Sequence, residues 1–317
     1  MTATGNIDGE RAGLLVMAYG TPDVPEQIEA YYTHIRRGRP PSDELLAELR
    51  GRYQAIGGRS PLREITRAQI AALRAALATA GREDVVLSLG FKHAAPFIED
   101  GLGELLAAGV NRIVGLVLAP HYSRLSIGEY AERARAAAAA ATQPATLTMV
   151  QDWHLAPGYL ALLTRELRDS LASLPADRRE RAHVLFTAHS LPVRILEQGD
   201  PYPEQLQETA AAVAELAGIE RWGVAWQSAG RTAEPWIGPD VLEVLAGLRQ
   251  QTDAVVVCPA GFVADHLEIL YDLDVEARQR ADELGLALVR TASPNDAPEL
   301  AQALARVVLD RLAEHSP

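Results

Sequence analysis

The sequence predicts an α/β protein in two lobes, each built on a four-stranded parallel sheet flanked by helices. Three observations carry this expectation. Apolar runs of strand length recur with little polar alternation, as in strands covered on both faces. Helical stretches separate them, and the same series restarts near the middle of the chain.

The first run, Leu14 to Ala18, leads into the turn YGTP, the pattern of a buried strand entering a functional loop. Val85 to Leu89, Ile113 to Leu118 and Leu147 to Val150 complete a first set, with helices over Glu64 to Ala80 and Ser126 to Ala141. Asp152 to Gly158 holds a proline and a glycine ahead of the helical Tyr159 to Leu174, which places the crossover between lobes there. The second set is His183 to Ala188, Trp222 to Trp226, Ala254 to Val257 and Leu286 to Val289. After SPNDAP, the amphipathic Glu299 to Ala313 is expected to return to the first lobe. The expected division is thus 13–154, 155–295 and a terminal segment 296–317. No close internal repeat accompanies the repeated order of elements.

Length and composition narrow the function. At roughly 150 residues per domain, 317 residues suit one large or two ordinary domains, and 48% apolar content supplies a core. Thirty basic against 42 acidic residues leave a net charge of −12, which repels nucleic-acid phosphates. The single Cys258 permits no intrachain disulfide and no multi-cysteine zinc or iron–sulfur site. The opening MTATGNIDGERAG has no basic-then-apolar leader, and no run approaches the ~20 residues of a membrane span, so a cytoplasmic protein is expected. Neither GxGxxG after the first strand nor GxxxxGK[ST] is present.

Parallel strands place ligands at their carboxyl ends, which directs attention to three polar groups. In FTAHSLP, His189 follows a strand; its imidazole either accepts protons and metal near neutral pH or braces a turn. Ser190 beside it lacks a GxSxG setting and is not read as a nucleophile. In GFVADHLEILYDLDVEA, Glu268, Asp272 and Glu276 are spaced four apart. On an α-helix they form one carboxylate stripe, read either as a solvated acidic face or as a route for a divalent cation. Asp265 suits a helix cap, and His266 suits a group that orients Glu268. YYTHIRRGRPP and GRYQAIGGRSPL set Arg36, Arg37, Arg52 and Arg59 among tyrosines, read either as surface ion pairing or as arginines embracing an anion beside tyrosine rings that can contact an apolar planar ligand. Tyr19, after the opening strand, is read either as touching a metal or planar ligand or as a structural tyrosine.

These blocks, with GFKHAAPFIED, LAPHYS, DPYPEQL and WQSAGRTAEPWIGPD in the same order, closely resemble the ferrochelatase family, in particular its soluble bacterial coproporphyrin branch. The resemblance covers almost the whole chain. It implies a chelatase-like fold of two Rossmann-like lobes with no nicotinamide cofactor. It also implies an enzyme of the lyase class in haem biosynthesis that inserts Fe²⁺ into coproporphyrin III. On this reading His189 is the catalytic imidazole, Glu268 faces it, and both meet the metal. Tyr19 becomes an axial contact, with Arg36, Arg52, Tyr53, Ser60 and Tyr130 as porphyrin contacts. Asp272 and Glu276 continue a metal path and His266 supports it; Lys92 and His93 approach the cleft without a catalytic role.

Iron is then a substrate, no cofactor is retained and no iron–sulfur cluster is expected. The resemblance further implies a monomer without a membrane tail and a downstream coproheme-processing partner. Protoporphyrin IX insertion, and haem binding or transfer without insertion, are the alternatives; a cobalt-inserting relative fits the extended blocks less well.

Overall fold

A computed structural model describes residues 11–314. Residues 1–10, on which the leader expectation rests, and the final three of the expected terminal segment lie outside the described residues. The strands are β1 (Ala12–Ala18), β2 (Val86–Phe91), β3 (Arg112–Val117) and β4 (Thr146–Met149), then β5 (His183–His189), β6 (Trp222–Gln227), β7 (Ala254–Cys258) and β8 (Ala287–Arg290). They form two four-stranded sheets, ordered β2-β1-β3-β4 and β6-β5-β7-β8, with every pair parallel. The expected fold class holds, strand for strand.

The interior strands explain the apolar runs. All seven residues of β1 are buried, because β1 pairs with β2 on one edge and β3 on the other while helices cover both faces. In the second sheet β5 and β7 occupy the two central places, and Val184, Phe186, Val255 and Val257 are wholly or almost wholly buried. In each sheet the first strand sends its successors to opposite sides. A switch point therefore opens beyond the carboxyl ends of β1 and β3, and another beyond those of β5 and β7.

One continuous core spans the two sheets, running through Val16, Trp153, Tyr159, Phe186, Val256 and Val308. The crossover is pinned within it: Trp153 donates its indole N–H to the Val117 carbonyl at 3.1 Å, and Tyr159 donates its hydroxyl to Ala260 at 2.7 Å. Helix Pro157–Ser173 and helix Pro298–Ala313 each begin with proline in the first turn, where a missing N–H costs nothing. They pack on each other, and the latter also packs on helix Leu62–Thr79. The approach is close at Gly158, where a Cβ would lie 2.9 Å from that of Ala303.

Two helical segments depart from the α-helices expected. The stretch after β3 opens as a π-helix, Arg124–Gly128, before α-helix Glu129–Ala140. The acidic segment is a nine-residue π-helix, Ile269–Ala277, followed by α-helix Arg278–Leu284. Ile269, Leu273 and Ala277 are its buried apolar residues. A four-residue apolar spacing serves a helix of either pitch, so it could not distinguish them. π-Helices are rare and concentrate at functional sites; the first lines the cleft between the lobes through Leu125 and Ser126, and the second begins directly after Glu268, which lines it.

Candidate active site

The carboxyl ends of both sheets open on one cleft of about 720 Å³, with walls from both lobes. Tyr19, Tyr53, Ser60, Tyr130, His189, His266 and Glu268 all line it.

His189 closes β5, which brings its ring to the cleft edge. Its Nδ1 is hydrogen-bonded to the Ser190 carbonyl, and a carbonyl can only accept. Nδ1 therefore carries the proton in the neutral ring, leaving the Nε2 lone pair free. The Tyr202 hydroxyl donates to the His189 carbonyl at 3.0 Å, and Ser190 donates its hydroxyl to Ile237 at 2.6 Å. Ser190 thus braces the turn.

Glu268 reaches His189 because the loop after β7 lies directly on β5. Gly261 donates its N–H to the Thr187 carbonyl at 2.9 Å, and a Cβ at position 261 would fall 2.4 Å from that of Ala188. Only a residue without a side chain fits. The chain then turns through His266 into Glu268, whose Oε1 lies 3.6 Å from His189 Nε2 and whose Oε2 lies 3.6 Å from His266 Nε2. The His266 Nδ1–H donates to the Ala264 carbonyl at 2.9 Å, and its ring packs on Phe262 at 5.0 Å.

About a third of each of His189 and Glu268 is open, and that surface faces the cleft. Burial disfavours both charges, yet their mutual attraction prevails. The Glu268 carboxylate lifts His189 to about 9. His189 and then His266 hold Glu268 well below the usual carboxylate range. Asp272 behaves oppositely: burial, then the charge of Glu268, pushes it up to about 7. Its neighbours are Ser228, whose hydroxyl donates to it, and Arg52 at 3.7 Å. Glu276 adds a further negative charge near Asp272.

In the first lobe, Tyr19 packs on His93 with ring centroids 4.6 Å apart, and His93 meets His34 at 3.0 Å between their Nδ1 atoms. Tyr53 shares a 3.1 Å hydrogen bond with Thr21, and Ser60 accepts the Leu62 N–H at 3.3 Å. Lys92 lies over the Tyr130 ring, 5.1 Å from its centroid, and pairs with Glu129 at 2.6 Å.

Two expected porphyrin contacts lie elsewhere. Arg36 is absent from the cleft lining; it donates to the Arg39 carbonyl at 3.3 Å and sits over Tyr32. Arg52 also lies outside the lining, bound to Glu48 at 3.2 Å and stacked on Tyr271 beside the acidic segment. It supplies a cation to a stripe that the sequence leaves without one. Arg37 does line the cleft, paired to Glu129 at 3.2 Å. So does Trp236, whose ring centroid is 6.3 Å from that of His189. Trp236 carried a sequence signal, the block WQSAGRTAEPW, but nothing in the block assigns it to the cleft. Tyr202 is a similar omission, in DPYPEQL. Cys258 is fully buried in β7, and burial pushes its thiol up to about 12.

Comparison with known proteins agrees with this arrangement. The profile of the ferrochelatase family matches residues 11–312. Coproporphyrin III ferrochelatase of Anoxybacillus flavithermus is 46% identical over 303 residues, covering 95% of this chain and 96% of that protein. Its Bacillus subtilis counterpart is 45% identical over 306 residues, covering 96% and 98%. Among solved structures, SirB from Bacillus subtilis with Fe³⁺ superposes with a TM-score of 0.62 at 13% identity, covering 96% of each chain, a likeness of fold alone. The family match over nearly every described residue, on a two-sheet frame that brings a histidine and a glutamate together in one cleft, establishes that this chain belongs to the ferrochelatase family, as an enzyme of the lyase class.

Proposed function

We propose that the protein inserts Fe²⁺ into coproporphyrin III, releasing two pyrrolic protons and forming coproheme. The observation that carries the reading is the 3.6 Å approach of His189 Nε2 to Glu268 on the wall of a cleft large enough for a planar ligand. The 46% identical relative acts on this porphyrin, which supports the choice of substrate.

The chain's own groups divide the work. With Nδ1–H held by Ser190, His189 can take a pyrrolic proton at Nε2 once the ring has given up the proton that Glu268 favours, and Glu268 stabilises the imidazolium formed. Tyr19, Tyr53, Ser60 and Tyr130 hold the macrocycle between the lobes, so that a bent ring exposes its nitrogen lone pairs. Among the described residues no three His, Cys, Asp or Glu side chains form a group that would hold a metal ion. A pair that meets iron briefly suits delivery better than a closed coordination shell, which favours retention. Asp272 and Glu276 extend the acidic route behind Glu268, and Arg52 fits that route better than a propionate contact. Arg37 and Lys92 supply positive charge to the cleft for propionates.

Among the described residues no helix is long and apolar enough to cross a membrane. A cytoplasmic monomer handing coproheme to a downstream processing enzyme completes the proposal. The test is an anaerobic assay of the purified chain with Fe²⁺ and either coproporphyrin III or protoporphyrin IX, with products resolved by mass. Coproheme formation is expected. Turnover of protoporphyrin IX alone would move the assignment to that substrate, and tight porphyrin binding with no insertion would make the chain a carrier.

A further inference from the structure

The acidic π-helix is held in place from outside the cleft. Arg290, the last residue of β8, is half-buried and forks onto Asp274, with Nε to Oδ1 and Nη2 to Oδ2 both at 2.8 Å. Its third nitrogen, Nη1, lies 3.3 Å from Asp265 Oδ1 and donates to the Thr291 carbonyl at 3.1 Å. Asp265 is held further by the Ser293 hydroxyl at 2.7 Å and the Asn295 amide at 3.0 Å. Gln69 reaches across from the first lobe, its amide donating to the Asn295 and Val263 carbonyls at 2.9 Å each.

We propose that Arg290 is a positioning residue for iron delivery: by clamping Asp265 and Asp274 together it sets where the intervening His266, Glu268 and Asp272 stand relative to His189. The inference rests on the insertase reading above. Two physical points carry it. A backbone with i→i+5 bonding is seldom stable on its own account, so its register depends on tertiary ties at its ends. And the His189–Glu268 approach is an open 3.6 Å gap rather than a closed hydrogen bond, so a small slide of the segment alters it directly. A misplacement of about 1 Å at such a site costs about 100-fold in rate. Lysine at position 290 would keep the charge but not the planar fork that spans two carboxylates.

The test uses the full chain with R290Q, R290K, D274N and the double variant R290Q/D274N. Four quantities are measured: kcat, the KM for Fe²⁺, the porphyrin Kd from fluorescence quenching, and the Tm. R290Q should lower kcat on the order of 10- to 100-fold and raise the iron KM, as loss of an outer-shell partner does, while porphyrin Kd stays unchanged. R290K should fall between wild type and R290Q, and the double variant should lose no more than R290Q, because both changes remove one tie. Unchanged kcat and iron KM in the folded variants would overturn the inference, as would porphyrin affinity falling in step with Tm, the mark of a merely structural tie. Should R290Q fail to fold, R290K and D274N decide. An inactive wild type would overturn the insertase reading and this inference together, whereas an active wild type with indifferent variants overturns this one alone.

Discussion

His189 and Glu268 face each other at 3.6 Å from different strands of one sheet, the histidine at the end of β5 and the glutamate beyond β7 at the head of a π-helix. Each steadies the charged form of the other against burial in the cleft wall. The pair is thereby primed as an imidazolium and a carboxylate when the cleft is empty. Turnover therefore requires the ring to give up that proton before it accepts one from a pyrrole.

Removing the ring should leave the fold and abolish most of the chemistry. H189A is expected to lower kcat about 100- to 10,000-fold, the usual range for a positioned proton acceptor, with an unchanged far-ultraviolet circular dichroism spectrum. Wild-type turnover in that variant would remove His189 from the mechanism.

The ring's titration gives a second check. Nuclear magnetic resonance of labelled histidine should find His189 titrating near 9 in the free protein, and lower in E268Q, where the stabilising charge is gone. The sign for stability follows: a raised histidine value contributes fully below the ordinary value of about 6.5 and is lost as pH rises through about 9. The stability difference between wild type and E268Q should therefore narrow across that window.

Asp272 predicts a separate pH effect. Its carboxyl is raised to about 7, so the folded state holds a proton that the unfolded chain releases near 3.8. The folded state gains from this below about 3.8, and the gain is lost as pH rises through about 7. In D272N that contribution is absent, and Tm measured from pH 4 to 8 should decline less than in wild type. An identical decline in both proteins would rule out the buried, protonated carboxyl.

Gly261 is a steric prediction. A methyl group at that position meets Ala188 Cβ at 2.4 Å and Cα at 2.8 Å, so G261A must lift the loop from β5. Destabilisation of about 1–3 kcal/mol is expected, read by urea unfolding. Insertion should fall by more than the folded fraction explains, because the same loop sets the approach of Glu268.

All eight strands among the described residues were legible as short apolar runs, most plainly the central ones, where burial on both faces leaves no room for polar alternation, and less plainly the partly exposed edge strands β4 and β8. Leu14 to Ala18 and Ala254 to Val257 read directly as such. His189 was legible as a strand-end imidazole. Its partnership with Glu268 came from resemblance, since 79 residues separate them and no local pattern links β5 to the loop after β7. The directions of Arg36 and Arg52 were not legible: an arginine beside tyrosines turns to whichever carbonyl or carboxylate lies nearest, here Arg39, Glu48 and Asp272.

By itself the sequence determined the α/β frame of two parallel sheets, the strand-end place of His189 and the acidic character of the segment after β7, because these follow from local apolar patterning and residue type. Tertiary structure alone decided that this segment is a π-helix, that Asp272 and Glu268 sit on opposite sides of the usual carboxylate range, and which arginines reach the cleft. Those outcomes depend on contacts between residues distant in the chain, such as Arg290 with Asp265 and Gly261 with Ala188, whose distances no spacing of letters encodes.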